Sequence, residues 1–96
     1  MVLKKMTNYE IKLKITDILG DGTCPRGHKV GEVFSFPEDI GKLCQSAYHS
    51  IYPTIRVMQS GGSFPWFKDR NTHSRCCPDP KRPVIIEISR DVISES

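Results

Sequence analysis

Residues 9–16 have the sequence Tyr9-Glu10-Ile11-Lys12-Leu13-Lys14-Ile15-Thr16, in which apolar and polar side chains alternate. Successive side chains of a β-strand point to opposite faces of the sheet, so this period of two is typical of a half-buried strand. Ile18 and Leu19 extend the apolar pattern until Gly20-Asp21-Gly22 breaks it. We therefore predict a first strand over residues 9–19, with one face against a core and the other in water.

The middle of the chain carries a helical pattern. From Ile40 onward, apolar residues recur at spacings of three and four, which gives a helix one buried face. The pattern predicts a main helix over Ile40–Tyr52, opened by Pro37-Glu38-Asp39 and ended or kinked at Pro53. Any further turns should close at Gly61-Gly62.

Three more segments complete the predicted sheet. Alternation returns clearly at Pro83–Ser89, residues 30–36 indicate a short second strand, and a weak pattern within Thr72–Cys77 allows another. The order β-β-α-(β)-β predicts an α+β fold, with a small, largely antiparallel sheet and one main helix packed on one face. The predicted core consists of Leu13, Ile15, Leu43, Ala47, Ile51, Ile86 and Ile88.

Length and composition limit the class of protein. Ninety-six residues predict a single domain over residues 1–96, and 38% hydrophobic with 26% charged residues is typical of a globular chain. No apolar run approaches the ~20 residues that span a bilayer, and the N-terminus has no apolar core of signal-peptide length. We therefore expect a cytoplasmic protein with reduced thiols and no membrane partner. A net charge of +3 is too small to favour a nucleic-acid partner, although an unknown protein partner fits the composition.

The residues with the most chemical potential are four cysteines and a neighbouring histidine. Thiolate and imidazole are donors that suit zinc or an iron–sulfur cluster, and four of them complete a tetrahedral site. The candidate ligands are Cys24, His28, Cys44, Cys76 and Cys77. No C-x-x-C motif is present, and adjacent cysteines seldom bind one ion together, so only one of the last two is expected to face the site. Because all these residues fall near the ends of predicted elements, we expect them to meet at one edge of the domain. The sulfurs of Cys24, Cys44 and at least one of Cys76 and Cys77 should lie within roughly 4 Å of each other, and His28 should face the same point.

Two other interpretations of the same residues stay open. Cys44 falls near the start of the predicted helix, two residues after Lys42, where helix amides and a cation favour a reactive thiolate. Alternatively, Cys44 shares the apolar stripe of the helix and is a buried thiol without chemistry. His49 and His73 are both expected to face solvent.

The loop of Gly61, Gly62 and Trp66 is a further candidate site. Two glycines permit close backbone approach, and the tryptophan offers a flat face to a ligand or a protein partner. In an interaction module of this kind the cysteines would be structural and buried. The simpler interpretation is a helix stop followed by a tryptophan that covers the core.

Four short motifs, taken together, carry a resemblance that spans most of the chain. They are Cys-Pro-x-Gly-His-Lys-Val-Gly at 24–31, Leu-Cys-x-x-Ala-x-x-Ser-x-Tyr-Pro at 43–53, Gly-Gly-x-x-Pro-Trp at 61–66 and Cys-Cys-Pro-Asp at 76–79. In this set the chain resembles a family of short prokaryotic proteins of about this length. Glu32 and Gln45 depart from the aspartate and proline expected there. The resemblance implies one small domain and carries over no activity.

Overall fold

The computed structural model describes residues 7–66 and 68–95. It contains strands β1 (Thr7–Ile18), β2 (Val33–Phe36), β3 (Thr72–Cys76) and β4 (Val84–Glu95), and one α-helix, α1 (Gln45–Gln59). The strands form one antiparallel sheet in the order β2-β1-β4-β3. Since α1 contacts β1, β3 and β4, the helix packs against the sheet, and the predicted α+β fold is confirmed.

The long central pair β1 and β4 organises the core. Leu13 lies opposite Ile88 and Ile15 opposite Ile86, and all four side chains are buried. The helix contributes Ile51, Ile55 and Met58 to the same cluster, and all seven predicted core residues are buried. Alternation therefore predicted correctly which face of β1 and β4 is covered.

The helix begins at Gln45 and not, as predicted, at Ile40. Residues Ile40–Lys42 form a separate 3₁₀ turn, and the backbone of Leu43 is extended, with ψ of 142°. The Cys44 N–H donates to the His28 side chain at 3.0 Å, a bond that replaces a helical one. A tertiary hydrogen bond therefore interrupts a segment whose apolar spacing is helical throughout.

Pro53 lies inside α1 and does not end it. A proline in a helix interior costs about 3 kcal/mol, since it lacks an N–H and crowds the preceding turn. Beyond it, Ile55 and Met58 are both fully buried, and each such side chain contributes about 1.5–3 kcal/mol. Burial of the second half of the helix therefore offsets the cost of the proline.

The C-terminal end of α1 is held by a buried arginine that the sequence patterns did not indicate. Arg90, 5% exposed, lies in β4 beyond the predicted end of that strand. Its Nη1 donates to the carbonyl oxygens of Met58 at 2.8 Å and Gly62 at 2.7 Å, and its Nε donates to Asn71 Oδ1 at 3.0 Å. The guanidinium carbon also lies 4.8 Å from the ring centroid of Tyr9. Arg90 thus joins the helix end, the glycine loop and Asn71, the residue before β3, to the sheet.

The predicted exposure of His73 is wrong. Its side chain is 1% exposed, and its ring lies edge-on to Phe64 at 5.3 Å between centroids. Burial, followed by the charges of Arg90 and Arg75, lowers the pKa of His73 below its ordinary value, so the folded chain favours the neutral imidazole. His49 is exposed, as predicted. Exposure was predicted because the neighbours of His73 in the sequence are polar, whereas in the structure it is a strand residue on the covered face of the sheet.

Candidate functional site: a pocket lined by three thiols

Three of the four cysteines line one open pocket of about 280 Å³. We call it the thiol pocket and define it by Cys24, Cys44, Cys77, Arg26, Asp79 and Arg82. Each sulfur comes from a different part of the chain: the loop between β1 and β2, the start of α1 and the end of β3. All three cysteines are half-buried.

Cys24 is placed by a tight turn. The Gly27 N–H donates to the Cys24 carbonyl at 2.9 Å, and Gly27 has φ of +86°, a conformation that glycine adopts without strain. The end of the same loop is tied to β1, because the Gly31 N–H donates to the Ile15 carbonyl at 2.8 Å. The glycines of this segment therefore shape the loop that positions Cys24, whether or not the loop also has a chemical role.

Cys44 is the N-cap residue of α1, and His28 holds it in place. Because the Cys44 N–H can only donate, His28 Nε2 must accept this 3.0 Å bond. The ring proton is therefore on Nδ1, which donates to Glu32 Oε1 at 3.0 Å. The Glu32 carboxylate, the His28 imidazole and the Cys44 N–H are thus linked by two consecutive hydrogen bonds. The His28 side chain is only 10% exposed, and its ring lies edge-on to Phe34.

Cys77 lies where the hairpin of β3 and β4 opens. Its N–H donates to the Val84 carbonyl at 3.0 Å, and the Val84 N–H approaches Cys77 Sγ at 3.2 Å. The turn beyond is closed by Asp79, whose Oδ1 accepts from the N–H groups of Lys81 and Arg82. These two bonds, the one from Lys81 first, lower the pKa of Asp79 below its ordinary value and favour the carboxylate.

The neighbouring Cys76 does not line the thiol pocket. It is exposed and lies opposite Ile85 in the sheet, while its carbonyl accepts a hydrogen bond from Ser50 Oγ at 2.8 Å. Alternation along β3 places His73 and Arg75 toward α1, where Arg75 Nε donates to Thr54, and leaves Cys76 on the opposite face. Of the adjacent pair, Cys77 is therefore the one that faces the other thiols.

The arrangement is a pocket and not a ready-made metal centre. Within residues 7–66 and 68–95, no group of three or more His, Cys, Asp or Glu side chains is arranged to hold a metal ion. Cys24, Cys44 and Cys77 nevertheless line the same pocket, while the expected approach of their sulfurs to within roughly 4 Å stays a prediction. His28 makes hydrogen bonds through both ring nitrogens, so in this conformation it positions Cys44 instead of offering a lone pair.

Two arginines in the pocket are functional candidates that the sequence patterns did not indicate. Arg82 lies 3.9 Å from both Asp21 and Asp79, at the outer limit of an ion pair, and Arg26 is exposed. Only their positions next to cysteine motifs in the sequence, Cys24-Pro25-Arg26 and the segment after Cys77, could have indicated them.

The glycine and tryptophan loop forms a different surface. Gly61, with φ of +84°, ends α1 as predicted, and the Gly62 N–H donates to the Val57 carbonyl at 2.9 Å. Trp66 is 68% exposed and lies 5.1 Å from the ring of Phe64, so it does not cover the core as the simpler interpretation expected. A role for this loop in binding a protein partner stays a prediction.

We expect Glu32→Gln to lower the free energy of unfolding by about 1 kcal/mol at pH 7, because Glu32 accepts from the Lys29 N–H and from His28 on a half-exposed surface. The Lys29 N–H is the main cause that holds the pKa of Glu32 below 4.5. A lowered carboxyl pKa stabilises the fold above the unfolded value and loses that effect as the pH falls through the folded value. The difference between the native chain and the variant should therefore shrink below about pH 4.5, as measured by urea unfolding across pH. A difference that stays constant down to pH 3 would contradict the assignment.

Comparison with known proteins adds no name to this site. No protein-family model, curated protein or solved structure matches the chain. The resemblance carried by the four motifs therefore stays a prediction. Among the described residues, no helix is long and apolar enough to cross a membrane.

Proposed function

We propose that the protein is a small metal-binding accessory or redox protein, in which Cys24, Cys44 and Cys77 bind zinc or an iron–sulfur cluster. One observation carries the proposal: three thiols separated widely in sequence line the same pocket. If the cysteines served only as small apolar residues, nothing would favour the placement of three of them around one open pocket. Thiolates are strong ligands for both zinc and iron–sulfur clusters.

Because no group of three metal-ligating side chains is arranged to hold an ion among the described residues, binding would require the three sulfurs to converge on one point. Zinc–sulfur bonds are about 2.3 Å long, so the sulfurs of one site must surround a single point. Cys24 lies in a loop and Cys77 at the open end of a hairpin, and both can move with less cost than residues inside the sheet. Metal binding of this kind also stabilises the folded state, because an unfolded chain holds no such site.

Serine variants of single cysteines test the proposal, with an adjacent cysteine as the matched control. Protein purified without oxygen should contain either zinc, or iron and sulfide with absorbance near 400 nm. Cys24→Ser, Cys44→Ser and Cys77→Ser should each lose most of the metal, whereas Cys76→Ser should retain it, because Cys76 lies outside the pocket. Elemental analysis measures the metal content, and thermal unfolding shows that each variant is folded.

Two results of this experiment would contradict the proposal. One is a native protein that carries no metal after anaerobic purification and takes up none when zinc or iron and sulfide are supplied. The other is equal loss of metal in all four serine variants, which would place the ions at non-specific thiols.

A second candidate function is a thiol-dependent enzyme with Cys44 as the reactive cysteine. Its support is geometric: Cys44 lines the thiol pocket and occupies the N-cap position of a 15-residue helix. Alkylation by iodoacetamide at pH 6 distinguishes the two candidates. Thiols bound to metal react slowly until a chelator is added, whereas a catalytic Cys44 reacts rapidly in metal-free protein and faster than Cys24 or Cys77.

A further inference from the structure

The loop between α1 and β3 carries an exposed aromatic pair beside an open pocket. Trp66 is 68% exposed, and its ring lies 5.1 Å from that of Phe64, with 32° between the two planes. Phe64 in turn lies edge-on to His73, and the guanidinium carbon of Arg75 is 5.1 Å from the Phe64 ring centroid. Arg75 is itself fixed to α1 through its 2.9 Å bond to Thr54. The helix and β3 therefore support the Phe64 ring, while the Trp66 ring faces solvent.

The pocket beside this pair has a volume of about 400 Å³, and we call it the loop pocket; it is lined by Ser63, Phe64, Pro65, Lys68 and Arg70. Lys68 and Arg70 are exposed, and neither makes an ion pair within residues 7–66 and 68–95. The one carboxylate between them in the sequence, Asp69, accepts the Asn71 N–H at 2.8 Å and is thereby held in the turn before β3. Charge complementarity at the loop pocket therefore favours an anionic ligand.

Directly after the loop pocket, β3 forms one edge of the sheet and, among the described residues, pairs only with β4. The Asn71 carbonyl accepts from a β4 N–H at 2.9 Å, and backbone groups point alternately to the two sides of an antiparallel strand. Thr72 and Ser74 therefore direct their N–H and C=O groups away from β4. Farther along this side, the Cys76 carbonyl accepts from Ser50 of α1, so the open part of the edge lies next to the loop pocket. Strand edges of this kind pair with another extended chain.

We infer that the loop pocket and the adjacent edge of β3 form one binding surface for an extended acidic segment of a partner protein. The segment adds a strand beside Thr72 and Ser74 through backbone hydrogen bonds. Its carboxylates pair with Lys68 and Arg70, whose exposed charges lie at the start of the same edge. An apolar side chain of the segment packs on Trp66, which gives the contact its buried aromatic anchor.

A protein segment fits this surface better than a nucleic acid does. Single-stranded nucleic acid also binds to cations and aromatic rings, but it has no peptide N–H and C=O groups with which to extend a sheet. The small net charge of the chain, +3, also favours the protein segment. None of the residues of this surface lines the thiol pocket, so the binding does not depend on the proposed metal.

Trp66 is the only tryptophan of the chain, so its fluorescence reports on binding at this surface. We would titrate the full chain with the peptide Glu-Val-Glu-Phe-Glu-Val-Glu and with a matched peptide in which lysine replaces every glutamate. The acidic peptide should change the emission and bind more tightly than the basic one. Methylation of its backbone nitrogens should weaken binding at least about fivefold, because the added strand then loses its donors to β3.

Variants of the chain locate the contacts, with the fluorescence anisotropy of a labelled acidic peptide as the measure. Trp66→Ala should weaken binding about tenfold, and Lys68→Gln and Arg70→Gln about two- to fivefold each. Lys14→Gln is the charge-matched control: it lies on β1, two strands from β3, and should leave binding unchanged. All four side chains are exposed, so each variant should fold, and thermal unfolding checks this.

Several results would overturn this assignment. Equal affinity for the acidic and basic peptides, or no response to either, would exclude recognition by charge. Affinity that methylation of the peptide leaves unchanged would exclude pairing with β3. Tighter binding of a short oligothymidylate than of the acidic peptide would make the surface a nucleic-acid site.

A second copy of the chain is the remaining occupant of the edge, and sedimentation detects it. The native chain should sediment as a monomer. A dimer that Ser74→Pro dissociates would assign the edge to self-association and overturn the proposal, because proline there removes an N–H that points away from β4. If Ser74→Pro does not fold, competition between the acidic peptide and the dimer gives the same answer: a dimer that the peptide does not dissociate excludes the peptide from the edge.

Discussion

Replacement of Arg90 by methionine should lower the free energy of unfolding by about 3–4 kcal/mol, one of the two largest effects that we expect from a single substitution. The arginine is 5% exposed and donates to Met58, Gly62 and Asn71. Methionine keeps the apolar stem but leaves the Gly62 carbonyl oxygen without this donor, while the Met58 carbonyl loses the arginine and still accepts from the Gly61 N–H at 3.2 Å. Each buried acceptor that loses its partner costs about 1–3 kcal/mol, while removal of a buried charge returns part of the loss.

Urea unfolding followed by circular dichroism measures this effect, with two variants for comparison. Arg56→Met is the matched control, because Arg56 is exposed and its side chain donates to the Gln59 side chain on the surface, so its change should stay within about 0.5 kcal/mol. Arg90→Lys keeps a charge but cannot reach all three acceptors, and it should fall between the native chain and methionine. If Arg90→Met and Arg56→Met unfold at the same urea concentration, the network around Arg90 does not stabilise the fold. Should Arg90→Met fail to fold, the lysine variant still gives the sign of the effect.

The second large effect is expected at Gly20, where alanine should cost about 3 kcal/mol. Gly20 has φ of +71°, a conformation that costs about 1 kcal/mol for a residue with a Cβ. An added Cβ would also overlap the carbonyl oxygen of Lys81, which belongs to the loop between β3 and β4. That loop carries Asp79 and Arg82 and begins beside Cys77, so its displacement should change the thiol pocket as well as the stability.

Gly22 provides the matched control, since it has φ of +79° and no atom within 4 Å of the added Cβ. Gly22→Ala should therefore lose only the conformational part, about 1 kcal/mol. Urea unfolding gives the stabilities, and the alkylation rate of Cys77 reports on the pocket: it should change in Gly20→Ala alone. Equal losses in both variants would mean that the loop moves away from the new Cβ at no cost.

Local pattern was sufficient to predict much of the fold, because burial repeats along each element. The alternation in β1 and the first half of β4 requires a sheet with one covered face, and the apolar stripe of the middle segment requires a helix on that face. Prediction failed where a polar residue is buried. Arg90 and His73 lie on the covered side of their strands, and the second half of β4 therefore did not look like a strand.

The thiol pocket was predictable as a meeting of element ends but not in its details. The sequence of two adjacent cysteines does not indicate which one faces the pocket. In the structure, strand β3 places Cys76 on the open face of the sheet and ends before Cys77, which lines the pocket. Likewise, His28 is a candidate metal ligand in the sequence, yet the fold brings it to the Cys44 N–H across 16 positions. The partners of its ring nitrogens are set by distances in space, which no spacing along the chain encodes.

By itself, then, the sequence determined the α+β class, the core face of each main element and the position of the thiols near element ends, since these depend on periodicity and turn residues. Only the tertiary structure decided where α1 begins, which three thiols share a pocket and which arginines accompany them. The reason is physical: periodic burial is a local property of the chain, whereas hydrogen bonds such as that from Cys44 to His28 form between segments that meet only after the sheet and helix have packed.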